Sequence, residues 1–161
     1  MLYGVKEVLD LYLFDEGGRF ITQMNSLKES RIYLYESLLL DELEAVLIAK
    51  DALLNIDLLK FIQGTKDDNL TDFERYAQIN EIQTITFNAK NKGKKCKLIA
   101  KSVMRDLSQK DCIYLYEIPN AYIVNSFNSA TEHDEVSVYD LKVEIKPYNE
   151  EKDLFKMKLY K

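Results

Sequence analysis

Apolar and polar positions along the chain alternate mostly with the two-residue period of a strand, and one stretch breaks that rhythm. In residues 51–64, Leu54, Leu58, Phe61 and Ile62 recur at i, i+4, i+7 and i+8, which lines up one apolar stripe at the helical period. Asn55 carries a side-chain acceptor of the kind that caps orphan N–H groups. Asp57 and Lys60 suit the helix dipole, and Gly64 offers the left-handed residue that ends a helix without Cβ strain. The pattern predicts a helix over 51–64 with Leu58 and Phe61 buried. Residues 43–50 just before it read as a buried strand, so a strand feeds a helix that lies across an open face or edge of a sheet.

The remainder reads as strands and turns. Residues 7–14 form a strand pattern, 15–18 are turn chemistry, and 19–24 can return as a hairpin partner. In 30–40, Ile32, Leu34, Leu38 and Leu40 occupy one phase, with Tyr33 and Tyr35 on the other. A strand with aromatics on its second face has both faces partly covered, by its own core or by a second chain. Residues 71–80 admit two readings: Thr71 and Glu74 fit a capping box for a short helix, while the period dissolves into strand-like 82–87. The lysine-rich 90–95 reads as a hairpin turn, and 96–105 and 113–118 as strands. Leu141, Val143 and Ile145 alternate with Lys142, Glu144 and Lys146, and Phe155, Met157 and Leu159 alternate with Lys156 and Lys158. Joined through 147–152, they predict an antiparallel hairpin with one solvated face. Val136 and Val138 fall out of phase with Leu141, which puts a bulge near Tyr139. About eight or nine strands and one firm helix predict a mainly β (or α+β) antiparallel fold of sandwich or barrel type.

Composition sharpens this only a little. At 161 residues the chain is expected to be one domain, 1–161, large enough to fold without disulfides or metals. Eleven Tyr and seven Phe favour strands over a helical bundle. A net charge of −5 argues against a surface that wraps nucleic acid. The start of the chain carries Lys6, Glu7 and Asp10, so it predicts neither a signal peptide nor a membrane span. A reduced, cytosolic origin is expected from the two cysteines, Cys96 and Cys112, which read as structural thiols. His133 is the one histidine and sits in an acidic run read as a solvated loop. The lysines at 90–95 fit phosphate, but such a run equally serves solubility or protects a sheet edge. Without a phosphate loop, nucleophile elbow, metal cluster or paired carboxylates, no catalytic residue, metal or cofactor is expected.

Several pieces taken in order resemble the tail tube proteins of contractile-tailed bacteriophages and related tail-like particles. Tyr3-Gly4-Val5-Lys6-Glu7-Val8 is similar to the family's opening, and 11–14 to its first strand. Residues 20–28 are similar to its second strand and the turn after it. The best-fitting stretch is 43–64: a strand, Asp-Ala-Leu-Leu, then a short leucine-rich helix ending in Gly. Ile118-Pro119-Asn120-Ala121-Tyr122-Ile123 resembles the family's Ile-Pro-x-Ala-x-Ile step, followed by two last strands that end in 155–160. Where family members carry a long Gly-rich basic loop, residues 29–42 here are shorter and lack Gly.

The resemblance implies a small β-sandwich or half-open barrel with one helix, six copies of which form a ring. Stacked rings would form a hollow tube in the virion tail, assembled in the bacterial host cytoplasm. A contractile sheath protein would surround the tube, and tape-measure protein and genomic DNA would occupy its lumen. Tyr33, Tyr35 and Glu36 are the candidate subunit-interface residues, and Leu54, Leu58, Phe61 and Ile62 the core helix. The alternative is a baseplate or adaptor protein, or a tube initiator or terminator, of the same β architecture.

Overall fold

The computed structural model describes residues 2–7, 10–24, 30–39, 41–53, 55–67, 70–78, 83–105, 108, 110–124, 129–130 and 138–160. In chain order the elements are β1 (Leu2–Glu7), β2 (Asp10–Phe14), β3 (Phe20–Met24), β4 (Ser30–Glu36), β5 (Leu43–Leu53), α1 (Ile56–Gln63) and β6 (Lys66–Asp67). They continue with α2 (Asp72–Tyr76), β7 (Gln83–Thr84), β8 (Gly93–Arg105), β9 (Asp111–Val124), β10 (Ser129–Ala130), β11 (Val138–Ile145) and β12 (Lys156–Tyr160). Strand residues far outnumber helical ones, so the fold is mainly antiparallel β, and the described residues hold two helices rather than one.

One sheet runs β1-β4-β5-β11-β9-β8-β2-β3, with β10 added on β11 and β12 on β9. A separate two-stranded ribbon joins β6 to β7. Along most of the large sheet, side chains alternate between a buried and an outer face; β12 is the exception, with all five residues exposed, Met157 and Leu159 included. Leu11 and Leu13 of β2, Ile32 of β4, Leu47 of β5, Leu98 of β8, Ile123 of β9 and Val143 of β11 are fully buried. They belong to a single cluster with α1, and their apolar burial is the main stabilising term of the fold.

Helix α1 is shorter than its sequence pattern. Residues 51–53 continue β5, where Ala52 and Leu53 pair with Tyr139 and Val138. The helix therefore starts only after Asn55, whose side chain accepts from the Leu58 N–H at 3.0 Å. The Asn55 amide also donates to Thr22 Oγ1 at 3.2 Å, tying the cap to β3. Leu58, Phe61 and Ile62 face the core, while Leu54 lies outside the described residues. At the other end, the Gly64 N–H donates to the Lys60 carbonyl. Asn91 donates to the Ile62 carbonyl at 3.0 Å and Lys94 sits 4.5 Å over the Phe61 ring.

Several expected pairings turn out otherwise. The strand expected over 7–14 is two: β1 pairs with β4, and β2 pairs with β3 and β8. The 90–95 stretch is not a hairpin tip. Asn88–Asn91 is a turn, and β8 then starts at Gly93 and pairs with β9 and β2, not with β7. Of the strand expected over 82–87, residue 82 lies outside the described residues, and among 83–87 only Gln83–Thr84 are strand. The capping box of Thr71 and Glu74 is present and starts α2.

The largest correction concerns the C-terminal hairpin. β11 and β12 do not pair with each other; both lie antiparallel along the same edge of β9. β11 takes Ala121–Ile123 and β12 takes Ile113–Glu117, so β12 continues the line of β11 after the excursion 146–155. Asn120 pins the jump: its carbonyl accepts from the Lys146 N–H at 2.9 Å, and its amide donates to the Pro147 carbonyl at 2.9 Å. The β8–β9 register shifts here, with Cys96 opposite Ala121 but Leu98 opposite Ile118. Pro119 cannot donate to a ladder and is tolerated at such a bulge. A second irregularity lies between Tyr139 and Leu141, where the phase of the apolar residues changes; Val136 lies outside the described residues.

Candidate assembly surface

The two tyrosines of β4 occupy its outer face. Tyr33 lies between Val5 of β1 and Val46 of β5, and Tyr35 between Leu2 and Glu44. Both are half-buried, whereas Ile32 on the other phase is fully buried. Partial burial pushes the Tyr35 phenol above its ordinary value, and a hydrogen bond to the Glu44 carboxylate adds to this, with the nearby charges of Glu44 and Glu144. Glu36 is exposed at the strand end. The similar pair on β9 is different. Tyr116 is buried, its ring packed edge-on against Phe155 at 6.1 Å, and Tyr114 packs partly against the same core.

Beyond Glu36 the strand expected to continue through Leu38 turns instead. The Ser37 N–H donates to the Glu42 carbonyl at 2.7 Å, Asp41 takes a left-handed φ of 51°, and an ion pair from Lys152 to Glu42 braces the turn. The turn holds Leu38 and Leu39 out in solvent, 99% and 95% exposed. Asp41, Glu150 and Glu151 are exposed on this turn and the braced 147–153 segment. Leu40 lies outside the described residues. Helix α2 also leaves its apolar residues in solvent: Phe73 and Tyr76 are 72% and 88% exposed, and none of its residues is buried. Alternation alone could not expose these positions, because a tight turn of leucines and a helix without a core face both lack the usual polar signature.

The outer face of β2, β8, β9 and β12 has another character. One row across it reads Tyr12, Ile99, Glu117, Lys156; the next reads Asp10, Lys101, Leu115, Lys158. Phe14 pairs with Lys97 above them, and Val103, Ile113 and Tyr160 form the row below. Lys95 extends the basic side next to Tyr122. Lys158 is ion-paired with Glu117, and that hydrogen bond and charge hold its ammonium pKa above the ordinary value. The face is thus lysine-rich with apolar residues between, on a chain whose net charge is −5.

Two concavities are relevant to binding. A depression of about 230 Å³ opens on this basic face, walled by Phe14, Ile99 and Pro119 with Lys97 and Glu117 beside it. A cleft of about 450 Å³ lies at the base of the leucine turn, between Leu34, Leu43, Pro147, Leu154 and Phe155, with Glu42, Lys152 and Asp153 at its rim. Among the described residues no group of three His, Cys, Asp or Glu is placed to hold a metal ion, and His133 lies outside them. Cys96 is buried, and desolvation pushes its thiol up to about 12; Cys112 is half-buried, and both are free thiols. No helix among the described residues is long and apolar enough to cross a membrane. Compared with known proteins, the chain matches no family model and no curated sequence.

Proposed function

We propose that this chain is the subunit of a hollow tube, built of six-membered rings that stack, as in the tail tube proteins its sequence resembles. The observation that carries the reading is that large apolar side chains stand in solvent at separate places: Leu38 and Leu39 on the turn, Phe73 and Tyr76 on α2, and Ile113 and Tyr160 on the outer sheet face. Leu38 with Leu39, and Phe73 with Tyr76 one helical turn apart, stand in neighbouring pairs rather than singly, and grouped apolar exposure suits contact sites. A two-fold dimer covers one patch on each copy. Several distinct patches suit heterologous contacts, which close rings around the subunit and continue between rings.

In this reading the tube is a rigid conduit for DNA and tape-measure protein, driven across an envelope by a contracting sheath. Its role is structural, and Tyr33, Tyr35 and Glu36 belong to the contact between neighbours. Net negative charge suits a passage for DNA, because like charge denies the polymer the counterion release that makes it stick. The test is sedimentation velocity with light scattering on the purified full chain across concentration. Species of six copies that grow into large particles support the tube. A single ring that never grows, or a strict monomer, rejects the tube in favour of the adaptor reading.

A further inference from the structure

We propose that the acidic leucine turn of one copy docks on the basic outer face of the next, with its leucines seated in the depression beside Lys97 and Glu117. The inference rests on the self-assembly reading and names the contact it uses. Three observations carry it. The turn is a preformed knob, closed by the Ser37–Glu42 hydrogen bond and braced by Lys152, so little ordering is needed when it binds. Its two leucines are exposed almost completely and have no cover of their own among the described residues.

The seat matches it in shape and sign. The depression holds about 230 Å³ between apolar walls; for scale, an apolar cavity of about 150 Å³ accommodates a benzene ring. Around it the face carries five lysines against two carboxylates. Asp41, Glu150 and Glu151, exposed around the knob, would meet these lysines as it enters. The larger cleft at the base of the turn is a poorer seat, because its rim holds Glu42 and Asp153 and its one cation among the described residues, Lys152, is already paired with Glu42, so an acidic knob would face like charge. A knob and a seat are different patches, so the contact suits a head-to-tail arrangement that repeats from copy to copy.

The experiment places the photo-reactive residue p-benzoylphenylalanine at position 39 of the full chain. Light and heavy isotope copies are mixed and irradiated, and cross-linked peptides are mapped by mass spectrometry. Cross-links from position 39 of one copy to residues 97–99 or 117–119 of another support the docking, even if the tubes themselves never form, in which case the tube reading alone fails. Inter-copy cross-links elsewhere, or none, overturn it. Alongside, Leu39→Ser and Lys97→Glu should each raise the concentration needed for assembly roughly tenfold or more, with the melting temperature unchanged. Assembly equal to that of the unsubstituted chain in both variants overturns the docking and leaves the tube reading standing. Unchanged self-association in Lys97→Glu with lost binding to duplex DNA would overturn it too, because the face would then serve a polyanion.

Discussion

Asn55 joins two parts of the fold with one side chain, and replacing it should show how much the α1 cap matters. Its Oδ1 accepts from the Leu58 N–H and its amide donates to Thr22 Oγ1. Asn55→Ala removes both bonds at once. Loss of an N-cap costs about 0.5–2 kcal/mol, and loss of the bond to Thr22, which is only 7% exposed, adds roughly 0.5–1.5 kcal/mol. The expected loss is therefore about 1–3.5 kcal/mol, read as a lower urea midpoint at constant slope. A chain of this size should melt lower by about 2–4 °C per kcal/mol lost. Asn55→Asp keeps a capping acceptor near the positive helix end and lets the Thr22 hydroxyl donate to it, so it should lose less than about 1 kcal/mol. Thr22→Val, alone and combined with Asn55→Ala, completes a double-mutant cycle with an expected coupling of roughly 0.5–1.5 kcal/mol. A loss under about 0.5 kcal/mol for Asn55→Ala, or a cycle that is strictly additive, would refute the reasoning.

Other outcomes follow from the same geometry. Leu58→Ala should destabilise by about 2–5 kcal/mol because Leu58 is buried in the shared core, while Ile56→Ala, at a half-exposed position on the same helix, should stay within about 0.5 kcal/mol; chemical unfolding checks both. Gly93 has a φ of +152°, and an added Cβ would lie 2.1 Å from the Ile123 carbonyl oxygen, so Gly93→Ala should cost about 2 kcal/mol or more in the same assay. For the thiols, Ellman's reagent near neutral pH should modify Cys112 before Cys96, and Cys96 only as the fold opens. The folded pKa of Cys96 is raised from 9.0 to about 12. Its contribution to stability is therefore complete below pH 9 and is lost as pH rises toward 12; a Cys96→Ala chain should lack that alkaline loss.

What was legible in the sequence is what local pattern encodes. The apolar stripe of Leu58, Phe61 and Ile62 is buried because the 3.6-residue period fixes one helix face whatever the partner. The capping box at Thr71 was equally readable, since its two bonds span only three residues. The antiparallel β class and the buried phase of Leu141, Val143 and Ile145 came from period-two alternation. Alternation states which face a residue takes, not which strand lies beside it. For that reason alternation pairs β12 with β11, whereas the bulge at Pro119 and the bonds of Asn120 carry the chain onward along β9. Helix α1 starts later than the 51–64 pattern because Ala52 and Leu53, just before the stripe, pair with β11 and keep the backbone extended. Of the candidate surface, Tyr33 and Tyr35 could be placed on the outer face of β4. Leu38 and Leu39 were hidden, because an apolar turn has the composition of a strand until its hydrogen bonds are known.

Electron microscopy of the purified protein at rising concentration decides whether the chain, as proposed, builds hollow rings and stacks them. Such stacking gives six-fold rings in end view, and smooth tubes with an empty central channel in side view. Particles that remain monomeric at the highest soluble concentration, with no rings or tubes even when a sheath partner is co-expressed, would contradict it.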